Sequence, residues 1–168
     1  MFFFFFRGFA CGDNTTAIKT TNGGVSWTGI NSGLANINYN SIYFKDANNG
    51  VIAGDSGKVY LTTNGGTSWV LQTALTNRKL LQAKYYNEGI VIAGEYGVII
   101  KKDNAGTLQL VNSKTNSDIR GISGTYTNNR VVGGGGFIRN NGNGSAGYLN
   151  FEINPMMANL VDIVYTDS

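Results

Sequence analysis

Three carboxylates recur at one phase of this chain. Asp13, Asp55 and Glu95 lie 42 and 40 residues apart, and a glycine precedes each of them. Gathered on one rim, they could hold a cation or a basic partner. An acid beside a turn glycine can also serve its own backbone by local hydrogen bonding. A second group, Lys101, Lys102, Arg120, Arg130 and Arg139, makes the second half basic and suggests a docking face for an acidic protein. The chain has no histidine and one cysteine, Cys11. That removes His-dependent triads and any intrachain disulfide. Chemistry would rest on carboxylates, Tyr or Lys. No cofactor-binding or metal-ligating pattern is present.

The elements that must position these groups are set by a repeat. Thr20-Thr21-Asn22-Gly23-Gly24-Val25-Ser26-Trp27 returns as Thr62-Thr63-Asn64-Gly65-Gly66-Thr67-Ser68-Trp69. Ala10-Cys11-Gly12-Asp13 aligns with Ile52-Ala53-Gly54-Asp55, Ile92-Ala93-Gly94-Glu95 and Val132-Gly133-Gly134-Gly135. Cys11 then reads as a small strand residue. A period near 40 marks a repeat architecture. Each unit holds four short runs of strand type, divided by Gly- and Asn-rich turns. In the second unit these are 37–44, 51–53, 58–62 and 68–72. Four antiparallel strands in ~40 residues is the size of one propeller blade.

The expected fold is therefore an all-β propeller of about four four-stranded blades, forming a single domain over 1–168. Blade repeats are expected at about 8–36, 37–78, 79–117 and 118–158. The first blade lacks its first strand, and an extra strand at 159–166 either closes the ring or is left over. The alternatives are a closed four-blade ring, a segment of a larger propeller, or blades shared between chains. The third copy of the turn, Lys102 to Gln109, places Gln109 where the others have Trp.

The pattern Thr20, Asn22, Gly24, Trp27, repeated at Thr62, Asn64, Gly66, Trp69, resembles the Asp-box or BNR repeat, with Asn in place of Asp. The unit as a whole is similar to the propellers of photosystem II assembly factors and of secreted bacterial repeat proteins. The resemblance implies a structural role for the turn residues and a non-catalytic scaffold that binds another protein. It implies an extracellular or cell-envelope setting. Sialidases share such propellers, but the five arginines Arg7, Arg78, Arg120, Arg130 and Arg139 come without a Phe-Arg-Ile-Pro motif.

Glycan binding or hydrolysis is the alternative function. Asp13, Asp55, Glu95, Arg120, Arg130 and Arg139 are the candidate partner-binding residues. The net charge of +3, without a dense Lys/Arg run, gives no reason to expect nucleic acid. Phe2 to Phe6 is too short to span a membrane. A homo-oligomer or a place in a larger assembly fits the repeat.

Overall fold

The computed structural model describes residues 6–127, 129–134, 137–140, 150–153 and 160. They form four antiparallel sheets. The first contains β1 (Gly8–Cys11), β2 (Ala17–Thr20) and β3 (Thr28–Gly29). The second contains β4 (Tyr39–Phe44), β5 (Gly50–Gly54), β6 (Val59–Thr62) and β7 (Val70–Leu71). The third contains β8 (Leu80–Tyr85), β9 (Gly89–Gly94), β10 (Ile99–Asp103) and β11 (Gln109–Val111). The fourth contains β12 (Ile119–Gly124), β13 (Asn129–Gly133), β14 (Phe137–Asn140) and β15 (Asn150–Ile153). Every sheet is a simple meander, and among the described residues the first has three strands, equivalent to the second, third and fourth strands of the others. The chain is an all-β, partial propeller.

The second strands show why the sheets stack like blades. β5 and β9 are buried along their whole length. Side chains alternate across a strand, so both faces of these strands are covered. Val51 and Ala53 pack toward the third sheet with Leu80, Ala83, Ile90 and Ile92. Ile52 packs toward the first, with Ala17, Ile30 and Trp69. Val91 and Ala93 meet Ile119, Ile122 and Val131 of the fourth sheet. The continuous apolar runs Val51-Ile52-Ala53 and Ile90-Val91-Ile92-Ala93 thus follow from a blade on each side. Burying each large side chain contributes roughly 1.5–3 kcal/mol.

The two Trp-ending turns are built alike. The Thr20 hydroxyl oxygen accepts from Gly24 N–H at 3.0 Å, and Thr62 accepts from Gly66 at 3.0 Å. The Asn22 and Asn64 amide oxygens accept from Ser26 and Ser68 N–H, both at 3.0 Å. The glycines supply positive φ, 91° at Gly24 and 77° at Gly66. The tryptophans differ. Trp69 is 4% exposed and donates its indole N–H to Ile30 C=O of the first sheet at 3.0 Å. Trp27 is 45% exposed, and no described sheet precedes it.

Two sequence alignments shift by one residue. Thr62 precedes the turn at the register position that Lys102 holds in the third sheet, and Leu61↔Val70 corresponds to Lys101↔Gln109. Leu108, not Gln109, therefore occupies the Trp69 position, because the third turn is one residue shorter. In that turn the Asp103 carboxylate accepts from Gly106 N–H, as Asn64 does from Ser68. In the fourth sheet Gly133 pairs with Ile119, as Gly54 does with Tyr39 and Gly94 with Leu80. Gly134, not Gly135, then stands at the carboxylate position.

The expected closing strand 159–166 lies outside the described residues except for Leu160. Its N–H donates to Gly133 C=O at 3.2 Å, the same link that Tyr39 makes to Gly12 at 3.1 Å.

Cys11 lies in β1 opposite Ala17 and packs against the cluster that holds Trp69. Burial pushes its thiol up to about 11. Only the thiolate is a strong nucleophile. We expect Cys11 to react with a disulfide reagent at pH 7.5 at least 10-fold more slowly than in the urea-unfolded chain. Equal rates would contradict its place in the sheet.

Candidate functional site

The connections between second and third strands form one rim with the loops that lead into each inner strand. In the first three sheets each connection is a two-residue turn with both central residues at positive φ. They are Asn14 (53°) and Thr15 (64°), Ser56 (55°) and Gly57 (68°), and Tyr96 (53°) and Gly97 (73°). Thr16, Lys58 and Val98 N–H close these turns onto Asp13, Asp55 and Glu95 C=O at 3.1, 3.2 and 3.1 Å. This is the type I′ geometry, whose twist matches the flanking strands. It leaves the carboxylate at the first turn position free to reach sideways.

What Asp55 and Glu95 reach is the neighbouring loop. Asp55 accepts from Asn38 Nδ2 at 3.3 Å and from Asn40 Nδ2 at 3.1 Å, and lies 3.9 Å from Lys79 Nζ. Glu95 accepts from Lys79 N–H at 3.3 Å. Lys79 therefore ties two successive turns together. The backbone N–H groups of Asp55, Glu95 and Gly134 donate to the C=O of Asn38, Lys79 and Asp118, each at 3.0 Å. Asp118 stands just before the fourth sheet's inner strand. It accepts from Tyr96 N–H at 3.2 Å and from Arg120 Nη2 at 2.9 Å. The half-buried acids of the second and third blades thus serve the frame. Asp13 is exposed.

What the rim presents outward is mainly cationic and aromatic. Tyr96 is 57% exposed at its turn tip, and the Arg78 guanidinium lies 4.0 Å over its ring. Lys79 and Arg120 keep 52% and 44% of their side chains exposed despite their acid partners. Arg120 gains its position from a bulge. The register slips between Ile119 and Gly121, as it does between Tyr39 and Ser41 and between Leu80 and Gln82. A bulge re-aims one side chain. Here Asn40, Leu81 and Arg120 are the residues re-aimed.

The structure brings Asp55, Glu95 and Arg120 onto this rim. It does not bring Arg130 and Arg139 there. Ile119 pairs with Gly133 at the rim end of the fourth sheet, and Ser123 pairs with Arg130 at the far end. Arg139 pairs with Val131, also away from the rim. Strand direction divides the expected basic face into two. Sequence reasoning missed Asn38, Asn40, Arg78, Lys79, Tyr96 and Asp118. The one available signal was position, since Asn38, Lys79 and Asp118 each directly precede an inner strand. Among the described residues, no three carboxylate or thiol groups cluster closely enough to hold a metal ion.

No protein-family model and no curated protein matches the chain. Solved structures do. A structure of YCF48 bound to a D1 peptide superposes with a TM-score of 0.73 at 20% identity, covering 96% of this chain and 54% of that one. An ancestral GH74 enzyme gives 0.66 at 18% identity, covering 83% and 22%. The GH74 enzyme of Niastella koreensis gives 0.65 at 17% identity, covering 84% and 28%. These likenesses bear on the fold, a propeller of which this chain spans about half the length or less.

Proposed function

We propose that this chain is a non-catalytic propeller scaffold that docks a segment of another protein on the rim of turns at Asp13, Asp55 and Glu95. The observation that carries the reading is the division of labour on that rim. Asp55, Glu95 and Asp118 are spent on turn and loop hydrogen bonds, while Arg78, Lys79, Arg120 and Tyr96 stand outward. Such a surface favours an acidic peptide. Cations steer its approach, and a rigid aromatic supplies contact area at low entropic cost. The capture of YCF48 with a peptide supports the reading by likeness of fold.

Glycan binding or hydrolysis is the second reading, favoured by the likeness to GH74 propellers. Hydrolysis by two carboxylates needs one as acid and one as base or nucleophile across a shared cleft. Asp55 and Glu95 would first have to leave their partners on Asn38, Asn40 and Lys79.

The test is fluorescence anisotropy with labelled acidic, neutral and basic peptides. We expect acidic peptides to bind most tightly and to weaken as salt rises. The double variant Arg78→Glu, Lys79→Glu should weaken them at least 10-fold without lowering the unfolding midpoint by more than a few degrees. Binding that ignores peptide charge, or survives this double reversal, would overturn the proposal.

A further inference from the structure

We infer that the junction between the second and third sheets carries a socket for an aromatic side chain of a protein partner, an indole fitting best. The argument starts from the preceding junction. There Trp69 lies against Gly66 of its own turn and against Ile30 of the first sheet. A Cβ built on Gly66 would stand 3.5 Å from the indole and 3.0 Å from Ile30 Cδ1. The indole N–H is satisfied by Ile30 C=O, and the Trp69 backbone N–H donates to Ser32 C=O at 3.0 Å. One indole therefore fills the groove and joins two blades.

The next junction repeats the groove without the indole. Gln72 stands where Ile30 stood, since both donate their N–H to the equivalent third-strand carbonyls, of Val59 and Ala17. Leu108 stands where Trp69 stood. Leu108 packs onto the apolar layer that Leu75 also joins, with a side chain smaller than the indole whose place it takes. The result is a cleft of about 340 Å³. Gln72, Thr73 and Leu75 form its wall on the second sheet, and Lys102, Gly106 and Leu108 form the other. That volume is at the lower end of small-molecule sites. Leu75 and Leu108 supply apolar lining, and Gln72, whose Nε2 donates to Val70 C=O at 3.1 Å, has its amide oxygen as the acceptor for an indole N–H.

The occupant is argued from this chain's own pattern. The same two walls, one blade earlier, close on a tryptophan. Buried aromatics are also the residues by which protein partners anchor in pockets. The cleft joins the third-to-fourth-strand turn of the third sheet to the start of the loop that follows β7, and none of the rim residues Arg78, Lys79, Tyr96 and Arg120 lines it. This inference therefore does not rest on the reading of that rim, and either can fail alone.

The test is a titration with N-acetyl-tryptophanamide, followed by amide chemical shifts in the isotope-labelled chain. We expect saturable shifts centred on Gln72, Leu75, Gly106 and Leu108. Leu108→Trp should fill the cleft from within and weaken the titration at least 10-fold while raising the unfolding midpoint. Thr73→Trp, at an exposed wall position, should block the same site and guards against a folding defect in the first variant. Shifts that never saturate would overturn the inference. So would shifts centred on Trp27, or shifts unchanged in both folded variants.

Discussion

Replacing Trp69 with Ala should destabilise the protein severely, whereas the same change at Trp27 should cost little. The two residues close turns of nearly identical sequence and nearly identical hydrogen bonding. Trp69 is 4% exposed, stands edge-on to Phe44 at 5.8 Å and caps Ile30 C=O. Its loss opens a cavity between two sheets and leaves that carbonyl without its partner. A cost of ~3–5 kcal/mol is expected for truncating a buried Trp. Trp27 is 45% exposed and lines an open surface with Phe6 and Gly24. Its truncation should cost less than about 1 kcal/mol, in the range of surface changes. Urea unfolding of both variants beside the parent measures this directly. Equal losses would contradict the account, and would mean that Trp27 is covered in solution.

The rim turns should be nearly as sensitive. Gly97→Ala places a Cβ 1.9 Å from Thr115 C=O, and Gly57→Ala places one 1.9 Å from Thr76 C=O. Both glycines have positive φ, 73° and 68°. The left-handed backbone alone costs a non-glycine residue roughly 1–2 kcal/mol. The contact must then push back the loop that feeds the next inner strand. A total near ~3 kcal/mol is expected, in the class of overpacked or strained sites. Gly12→Ala is the control, because nothing lies within 4 Å of its added Cβ. It should stay within about 0.5 kcal/mol of the parent. At Thr15 a β-branched residue sits at φ 64° where the next two turns have glycine; Thr15→Gly relieves that strain but gives up the hydroxyl's bond to Asn36 Oδ1, so it should stay within about 1 kcal/mol of the parent. Thermal unfolding of the four variants reads all of this. A neutral Gly97→Ala would mean that the loop at Thr115 is not held against the turn.

These cases mark what the sequence made legible. Period and strand type could be read because turns demand glycine or asparagine, and because strands buried on both faces are apolar without interruption. Val51-Ile52-Ala53 and Ile90-Val91-Ile92-Ala93 announce themselves in that way. The one-residue shortenings at Leu108 and Gly134 did not. A run of small and polar residues gives several equivalent alignments, and only the ladder register separates them. Nor could sequence distinguish Trp27 from Trp69, since burial depends on which sheet lies alongside. On the rim, the acids were visible by recurrence. Their partners Asn38, Asn40 and Lys79 were not, because irregular loops carry no period. The division of Arg120 from Arg130 and Arg139 needed strand direction and register together.

The central claim is that the rim docks a protein segment. The most direct measurement places the intact chain on one surface bearing linear peptides of graded charge beside a panel of oligosaccharides. The account predicts retention on acidic peptides, released by salt, with no sugar retained above background and none cleaved. Retention or cleavage of an oligosaccharide, with no preference among the peptides, would contradict it.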